Sequence, residues 1–208
     1  LQKELQQTET ALQQSAIALT QKRHAVKLEM EEIVSQKLGY LGMPNAQFVV
    51  DIAHSNHFLP TGCDVVNFLF SANKNGTPQP IAQTASGGEL SRVMLVIKSL
   101  MVSRANLPTI IFDEIDTGVS GEIAHRMGEI MQLIAQTMQV ITITHLPQIA
   151  AKGVSHYKVY KYDTESATIT NIVRLTPEER VEQIAEMLSG KNPSAVAMDN
   201  ARELLKTM

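Results

Sequence analysis

Two adjacent glycines, Gly87 and Gly88, follow Ser86 directly before an apolar, helix-forming stretch at residues 90–102. Glycine lets another group approach the backbone closely, and the first amide groups of a helix have no acceptor within the helix. Because the helix dipole adds positive character at this end, the pattern favours binding of a phosphate group. The alternative is an ordinary helix N-cap, formed by Ser86 or Ser91 beside a flexible glycine pair.

Two carboxylates, Asp113 and Glu114, end a short apolar run at residues 108–112. The run is apolar on both faces and too short for a helix, so it predicts a buried parallel strand. Acidic residues at the carboxyl end of such a strand lie where open α/β sheets bind ligands. Asp113 suits a Mg²⁺ ion held through water, and Glu114 could orient or deprotonate a water molecule that attacks a terminal phosphate. A solvated strand end with two surface acids is the alternative.

A second apolar strand is predicted at residues 140–144, and His145 follows it directly. A histidine at this strand end could hydrogen-bond a γ-phosphate or the attacking water molecule. A histidine that only caps a helix or fills the core is the alternative for this position.

In this order, the glycine-rich helix start, the acidic strand end and the histidine strand resemble the heads of ABC-type ATPases. In that family they correspond to the signature motif, the Walker B strand and the switch histidine. Residues 80–88, 112–121 and 144–151 are similar to the RecN family, a bacterial DNA-repair branch of the SMC-like ATPases. Ser120 stands where transporter-type heads usually carry an aspartate, which favours the RecN branch and weakens any transfer of that aspartate's role.

The resemblance implies an α/β fold, the C-terminal half of an ABC/SMC-type P-loop ATPase head with a parallel sheet flanked by helices. It also implies ATP hydrolysis at a head–head interface that drives DNA tethering in double-strand-break repair and recombination. ATP and Mg²⁺ are the cofactors it implies. The resemblance also implies a role for each site residue. Ser86 and Gly88, with Gly87 and Glu89 beside them, would contact the γ-phosphate of a nucleotide on the second head, and Thr117, Gly118 and Ser120 would line the dimer and nucleotide contact. Asp113 would bind Mg²⁺, Glu114 would act as the general base, and His145 would sense the γ-phosphate.

No G-x-x-x-x-G-K-[ST] motif occurs in the chain, so the phosphate-cradling loop with its lysine is missing. The chain begins at Leu1, inside a predicted helix. We therefore expect the C-terminal part of a longer protein, inactive by itself and prone to self-association through exposed apolar surface. The expected partners are the N-terminal half of the same protein, a second head and DNA, with no membrane.

A seven-residue repeat of apolar residues marks the first part of the chain, at Leu5, Leu12, Leu19, Val26 and Ile33. Such a repeat is typical of a coiled-coil seam, although the companion seam is poor in apolar residues. We predict a coiled-coil return helix at residues 1–38 and the half-head at residues 39–208. A single amphipathic helix packed on the head is the alternative.

Composition agrees with one head-sized unit and a helical arm, since the 208 residues are 44% hydrophobic. The net charge of −3 gives no overall basic field for nucleic acid. The single Cys63 rules out an intramolecular disulfide and fits a reducing cytoplasm, in which we expect a nucleoid-associated protein. No apolar run approaches the roughly 18–20 residues that cross a bilayer.

Two weaker clusters have structural explanations. His54, His57 and Cys63 lack a fourth ligand and lie beside a turn, so a zinc site is not expected. A modest basic stretch, whose residues alternate with valine and tyrosine, predicts an exposed strand face rather than a DNA-binding site. Its members are Lys152, His156, Lys158 and Lys161.

Strands that alternate with helices predict a parallel sheet with right-handed crossovers. The predicted strands are residues 47–52, 64–71, 109–113, 140–144, 154–161 and 167–175, and the predicted helices are residues 89–103, 122–137, 177–188 and 193–206.

Two other functions compete with the RecN-type ATPase. One is a different coiled-coil ABC ATPase, associated with chromosome structure or with a nuclease. The other is a structural dimerisation module without hydrolysis, which has no chemical need for both Glu114 and His145.

Overall fold

The computed structural model describes residues 1–84, 86–105, 107–164 and 167–206. The chain divides into two compact units, Leu1–Val96 and Ile97–Met208. The helices are α1 Gln2–Tyr40, α2 Ile81–Thr84, α3 Gly87–Ala105, α4 Gly121–Ala135, α5 Pro147–Ala150, α6 Pro177–Ser189 and α7 Ala195–Lys206. The strands are β1 Gln47–Leu59, β2 Gly62–Ser71, β3 Gln79–Pro80, β4 Thr109–Asp113, β5 Gln139–Ile143, β6 Tyr157–Asp163 and β7 Thr168–Arg174.

The first unit is a long helix packed on an antiparallel hairpin. Strands β1 and β2 pair from Gln47 opposite Ser71 to Leu59 opposite Gly62, and β3 adds to the free edge of β2. The first predicted strand therefore ended too early, because β1 runs on through a polar stretch to Leu59. Cross-strand hydrogen bonds in a hairpin hold polar residues that an apolar pattern does not mark.

One face of α1 is fixed to the hairpin through a buried ion pair. Arg23 Nη1 lies 2.7 Å from Asp64 Oδ2, and the Thr20 hydroxyl donates to the same carboxylate at 2.9 Å. The hydrogen bond from Arg23 holds the pKa of Asp64 below its ordinary value, although burial of the carboxyl acts in the opposite direction. Ala16, Val34 and Leu38 are buried on the same helix.

The heptad seam of α1 remains exposed. Its first four members have exposed fractions between 37% and 60%: Leu5, Leu12, Leu19 and Val26. Leu19 lies beside Gly62 of the hairpin, and the remaining apolar surface of these four residues has no cover among the described residues. The coiled coil itself stays a prediction.

The second unit contains the predicted parallel strand pair. Strands β4 and β5 are parallel, with Asp113 opposite Ile143 in the last register pair. Strand β4 has the predicted bounds, and α4 and β5 agree with the prediction within two residues. Phe112 is 2% exposed and packs into the interior.

The other face of this strand pair is open, so the prediction of strands buried on both faces was wrong for the described residues. Ile111, Ile141 and Ile143 are 60%, 43% and 51% exposed. A run of apolar residues shows that both faces of a strand favour burial, but it does not show which element covers each face. The open face agrees with the expectation of exposed apolar surface.

A hairpin and two helices complete the second unit. Strands β6 and β7 are antiparallel, and α6 begins with a capping box between Thr176 and Glu179. Helices α6 and α7 share a small apolar cluster with Ala151. The short elements β3, α2 and α5 were not predicted, because each is four residues or fewer.

The basic stretch does not form one exposed strand face. Lys152 is only 7% exposed, and Lys158 Nζ lies 3.2 Å from Glu186 Oε2 on α6. The prediction of an exposed face was therefore wrong for Lys152. Among the described residues, no helix is long and apolar enough to cross a membrane.

Candidate functional site

The acidic residues and the histidine predicted to act together follow adjacent, parallel strand ends. Asp113 is the last residue of β4, and the amide of Glu114 donates to the carbonyl oxygen of Ile143 at 3.2 Å. His145 follows β5 two residues later. The carboxyl ends of parallel neighbours meet at one sheet edge, where α/β sheets bind ligands. The structure therefore brings Asp113, Glu114 and His145 to one edge, as the sequence predicts.

The backbone of Glu114 is in a conformation that residues other than glycine rarely adopt. Its φ angle is +46°, in the left-handed region. The hydroxyl and the amide of Thr117 both donate to the Glu114 carbonyl oxygen, at 2.9 and 3.3 Å. Strain of this kind persists where surrounding contacts hold it, and it concentrates at functional sites. The Glu114 side chain is exposed, and its carboxylate is accessible to solvent.

A buried carboxylate, Asp116, lies just behind this edge. Its side chain is fully buried and accepts a short hydrogen bond from the Thr144 hydroxyl. His145 Nδ1 is 3.6 Å from Asp116 Oδ2, while the His145 side chain is 67% exposed. Sequence analysis gave Asp116 no role of its own.

The loop between β4 and α4 exposes the residues that were predicted to line a head–head contact. Thr117, Gly118 and Ser120 are exposed, and Gly118 has a φ angle of +75° that favours glycine. The amide of Val119 donates to the backbone carbonyl of Asp116 at 3.3 Å, which closes the turn. Their proposed contact with a second head stays a prediction.

The glycine-rich run forms a capped helix start. The Ser86 amide donates to Glu89 Oε2 at 3.0 Å, and the Glu89 amide donates to Ser86 Oγ at 3.4 Å. This reciprocal pair is a capping box, so the ordinary N-cap of the alternative interpretation is present. A cap and a phosphate site are compatible, because several first-turn amides need partners. Ala85, in the segment that precedes the run, lies outside the described residues.

The fold of the described residues does not require glycine at position 87. A Cβ atom added to Gly87 would meet no described atom within 4 Å, and its φ angle is not in the left-handed region. The absence of a side chain leaves the backbone open to close approach at this position.

Arg92 ties this helix start to the end of α1, a contact that sequence analysis missed. Its Nε donates to the Gly88 carbonyl oxygen at 3.1 Å, and its Nη1 donates to the carbonyl oxygen of Leu41 at 3.0 Å. Leu41 is fully buried and caps α1. The contact joins residues 51 positions apart, so no local pattern could have indicated it.

The described residues contain no group of three or more His, Cys, Asp or Glu side chains that could hold a metal ion. His54, His57 and Cys63 line a groove of about 450 Å³ beside α1. Asp113, exposed at its strand end, has the ligand chemistry and access that a water-held Mg²⁺ needs.

Solved structures of SMC heads have the same fold. The Smc head domain with a coiled coil and joint from Pyrococcus yayanosii matches 77% of this chain and 29% of its own, with a TM-score of 0.60 and 17% identity. The Smc head bound to the C-winged helix domain of ScpA matches 76% of this chain and 46% of its own, with a TM-score of 0.55 and 15% identity. The chain therefore has the α/β fold of an SMC-type head.

Sequence relatives define the family more closely. The DNA repair protein RecN of Haemophilus influenzae is 36% identical over 195 residues, which cover 93% of this chain and 35% of the relative. The RecN of Treponema pallidum is 38% identical over 212 residues, covering 99% of this chain and 37% of the relative. The chain belongs to the RecN family and spans 35–37% of the length of these two relatives. No protein-family model matches it.

Proposed function

We propose that this chain is the C-terminal part of an SMC-like ATPase that hydrolyses ATP between two heads and tethers DNA during double-strand-break repair. One observation carries the proposal. In a chain of the RecN family, the register of β4 and β5 brings two carboxylates and a histidine to one edge of the sheet. Such a protein acts on the chromosome, and we place it in the cytoplasm with the nucleoid.

The residues at the sheet edge divide the chemistry among them. Asp113 would hold Mg²⁺ through water, and the bound ion would neutralise negative charge on the transferred phosphate. Glu114, strained and exposed, orients and deprotonates the attacking water molecule. His145, which is 67% exposed, hydrogen-bonds the terminal phosphate or the water.

The helix start at residues 86–89 serves a nucleotide that is bound to a second head. The amides of Gly87 and Gly88 lie in the first turn of α3, where a helix has unpaired donors and positive character. The open space beside Gly87 admits a phosphate to the backbone. ATP would thus join two heads when bound and release them when hydrolysed.

Two exposed apolar surfaces, one in each unit, define where the N-terminal half of the protein would pack. The open sheet face of Ile111, Ile141 and Ile143 would receive the rest of the head, and the seam of α1 would receive the outgoing coiled-coil helix. Without that half, the chain has neither a phosphate loop nor cover for these surfaces. We expect it to self-associate and to turn over no ATP by itself.

The first experiment measures ATP turnover by the complete protein, reconstituted from this chain and its N-terminal half, with and without Ser86→Arg. We expect the arginine to block the approach of a nucleotide on the opposite head, so that turnover is lost while monomeric heads still bind ATP. Ser86→Ala removes the hydroxyl without adding bulk, so comparison of the two variants separates loss of the hydroxyl from steric blocking by the arginine. Unaffected turnover in Ser86→Arg would mean that residues 86–89 only begin a helix and that no nucleotide is bound between them and a second head.

A further inference from the structure

His145 lies between two residues that one hydrogen-bond network holds in place. The amide of Leu146 donates to the Thr144 hydroxyl at 3.0 Å, and that hydroxyl donates to Asp116 Oδ2. The backbone on both sides of His145 is therefore linked to a carboxylate 29 residues earlier in the chain. The network joins the loop after β4 to the loop after β5 within one unit.

The Asp116 carboxylate is placed to accept another hydrogen bond. It has no exposed surface, and its Oδ1 atom has no hydrogen-bond partner among the described residues. A buried carboxylate is costly unless donors surround it. The His145 side chain also lies beside this carboxylate, with Nδ1 3.6 Å from Oδ2, the oxygen that accepts from Thr144. A proton on Nδ1 would face the carboxylate, and a small rotation of the ring would bring the two atoms within hydrogen-bond distance.

We propose that Asp116 is a positioning residue that orients the His145 ring through Nδ1 and thereby presents Nε2 to the nucleotide. The inference rests on the proposed function and assigns to it a residue beyond the acidic pair and the histidine. Because a carboxylate only accepts hydrogen bonds, an approach of Nδ1 to Asp116 favours the tautomer that carries its proton on Nδ1. Nε2 then accepts a hydrogen bond from the water molecule when the ring is neutral, and donates one to the phosphate when the ring is protonated. An exposed histidine without this contact would sample several ring orientations and both tautomers.

The test uses Asp116→Asn in the complete reconstituted protein. Asparagine keeps the shape of the side chain but loses its charge, and its amide can present a donor to Nδ1 instead of an acceptor. We expect kcat to fall about 10–100-fold, the range found when groups that orient a histidine ligand are removed. The KM for ATP should stay within about twofold, because the bound nucleotide is held elsewhere.

A double-mutant cycle with His145→Gln separates positioning from a general structural effect. If Asp116 acts through His145, Asp116→Asn lowers kcat in the wild-type background and has little further effect in His145→Gln. An equal loss in both backgrounds would overturn the inference, since Asp116 would then only hold the loop. Thermal unfolding of each variant shows which losses follow from unfolding.

A second pair of variants preserves the test if Asp116→Asn does not fold. Thr144→Ser keeps the hydroxyl that binds Asp116 and should retain turnover, whereas Thr144→Val removes it and should lower kcat. Equal turnover in Ser and Val variants would contradict the network. If His145→Gln itself leaves turnover unchanged, the histidine has no role and the proposed function is revised. If the Asp116 and Thr144 variants keep normal turnover while His145→Gln loses it, the role of Asp116 is wrong and the proposed function stands.

Discussion

The helix start at residues 86–92 and the strand-end site at residues 113–116 and 144–145 serve the same proposed reaction, but different contacts build them. The helix start depends mainly on neighbours three or four positions away, such as the pair Ser86 and Glu89. The strand-end site depends on contacts across about 30 residues, such as the bond from Glu114 to Ile143. The first can form wherever a helix begins, whereas the second needs a folded core beneath it.

The two sites also differ in backbone strain. Gly87 occupies an unstrained position with open space around it, while Glu114 is held at a φ angle of +46° by its neighbours. An open backbone suits a partner that arrives from outside, and a strained residue suits a fixed reactive group. Variants that separate folding from chemistry test this contrast.

Glu114→Gln should have the largest effect, because it removes the proposed base without changing the shape of the side chain. We expect kcat of the complete protein to fall about 10²–10⁴-fold, with ATP binding and head dimerisation retained. Steady-state ATP turnover and a size measurement with bound ATP check both parts. Glu122→Gln, at the exposed start of α4, is the matched control. Unchanged turnover would remove Glu114 as the base.

Phe112→Ala should destabilise the strand-end site by removing a buried ring of β4, the strand that ends at Asp113. Phe112 is 2% exposed, and loss of a buried phenyl ring costs about 3–5 kcal/mol of unfolding free energy. Ile111→Ala is the control on the open face, where we expect a change of about 0.5 kcal/mol in this chain alone. Urea unfolding with and without the N-terminal half checks both variants.

The open-face variant also tests what covers the sheet. The cost of Ile111→Ala should rise clearly when the N-terminal half is present, because Ile111 would then be buried. An equal cost in both conditions would show that this half packs elsewhere.

Gly87→Ala should separate function from folding at the helix start. The added methyl group has room in this chain, so the unfolding free energy should stay the same or rise by up to about 1 kcal/mol. Turnover by the complete protein should fall at least about tenfold, which corresponds to 1.4 kcal/mol, because the methyl group displaces an approaching phosphate. Ser91→Ala, one turn further on, serves as the control. Normal turnover in Gly87→Ala would mean that no ligand approaches this backbone.

The smallest effect concerns His156, which lies outside both sites. Burial, followed by the positive charges of Arg180 and Lys158, lowers the pKa of His156 from its ordinary value of 6.5. The unfolded chain therefore binds a proton at a pH where the folded chain does not. The contribution to stability is complete above pH 6.5 and is lost as the pH falls below that value towards the folded pKa.

Unfolding free energies measured from about pH 8 down to about pH 5 check this slope, which His156→Gln should reduce. His24→Gln changes an exposed histidine of α1 and should leave the slope unaltered. A slope that persists in His156→Gln would assign the pH dependence to other groups. The measurement also separates the pH dependence of the fold from that of ATP hydrolysis.

Much of the fold was predictable because its patterns are local. Strand β4 has the predicted bounds, and the Asp-Glu pair lies at its carboxyl end as expected. Two features were not predictable for a common reason. The exposure of Ile111 depends on which elements cover β4, and the burial of Lys152 depends on how α4 packs on α5. An apolar pattern describes which face prefers burial but not whether a partner is there.

The sequence by itself determined the local chemistry of this protein: a glycine-rich helix start, an acidic strand end, a histidine strand end, and their order along a chain of the RecN family. Only the tertiary structure decided that Asp116 lies buried against His145 and that Arg92 reaches the end of α1. Caps and strand ends follow from residues within about one helical turn or one strand. Contacts between residues 29 and 51 positions apart exist only after the chain has folded and burial has selected which polar groups must pair.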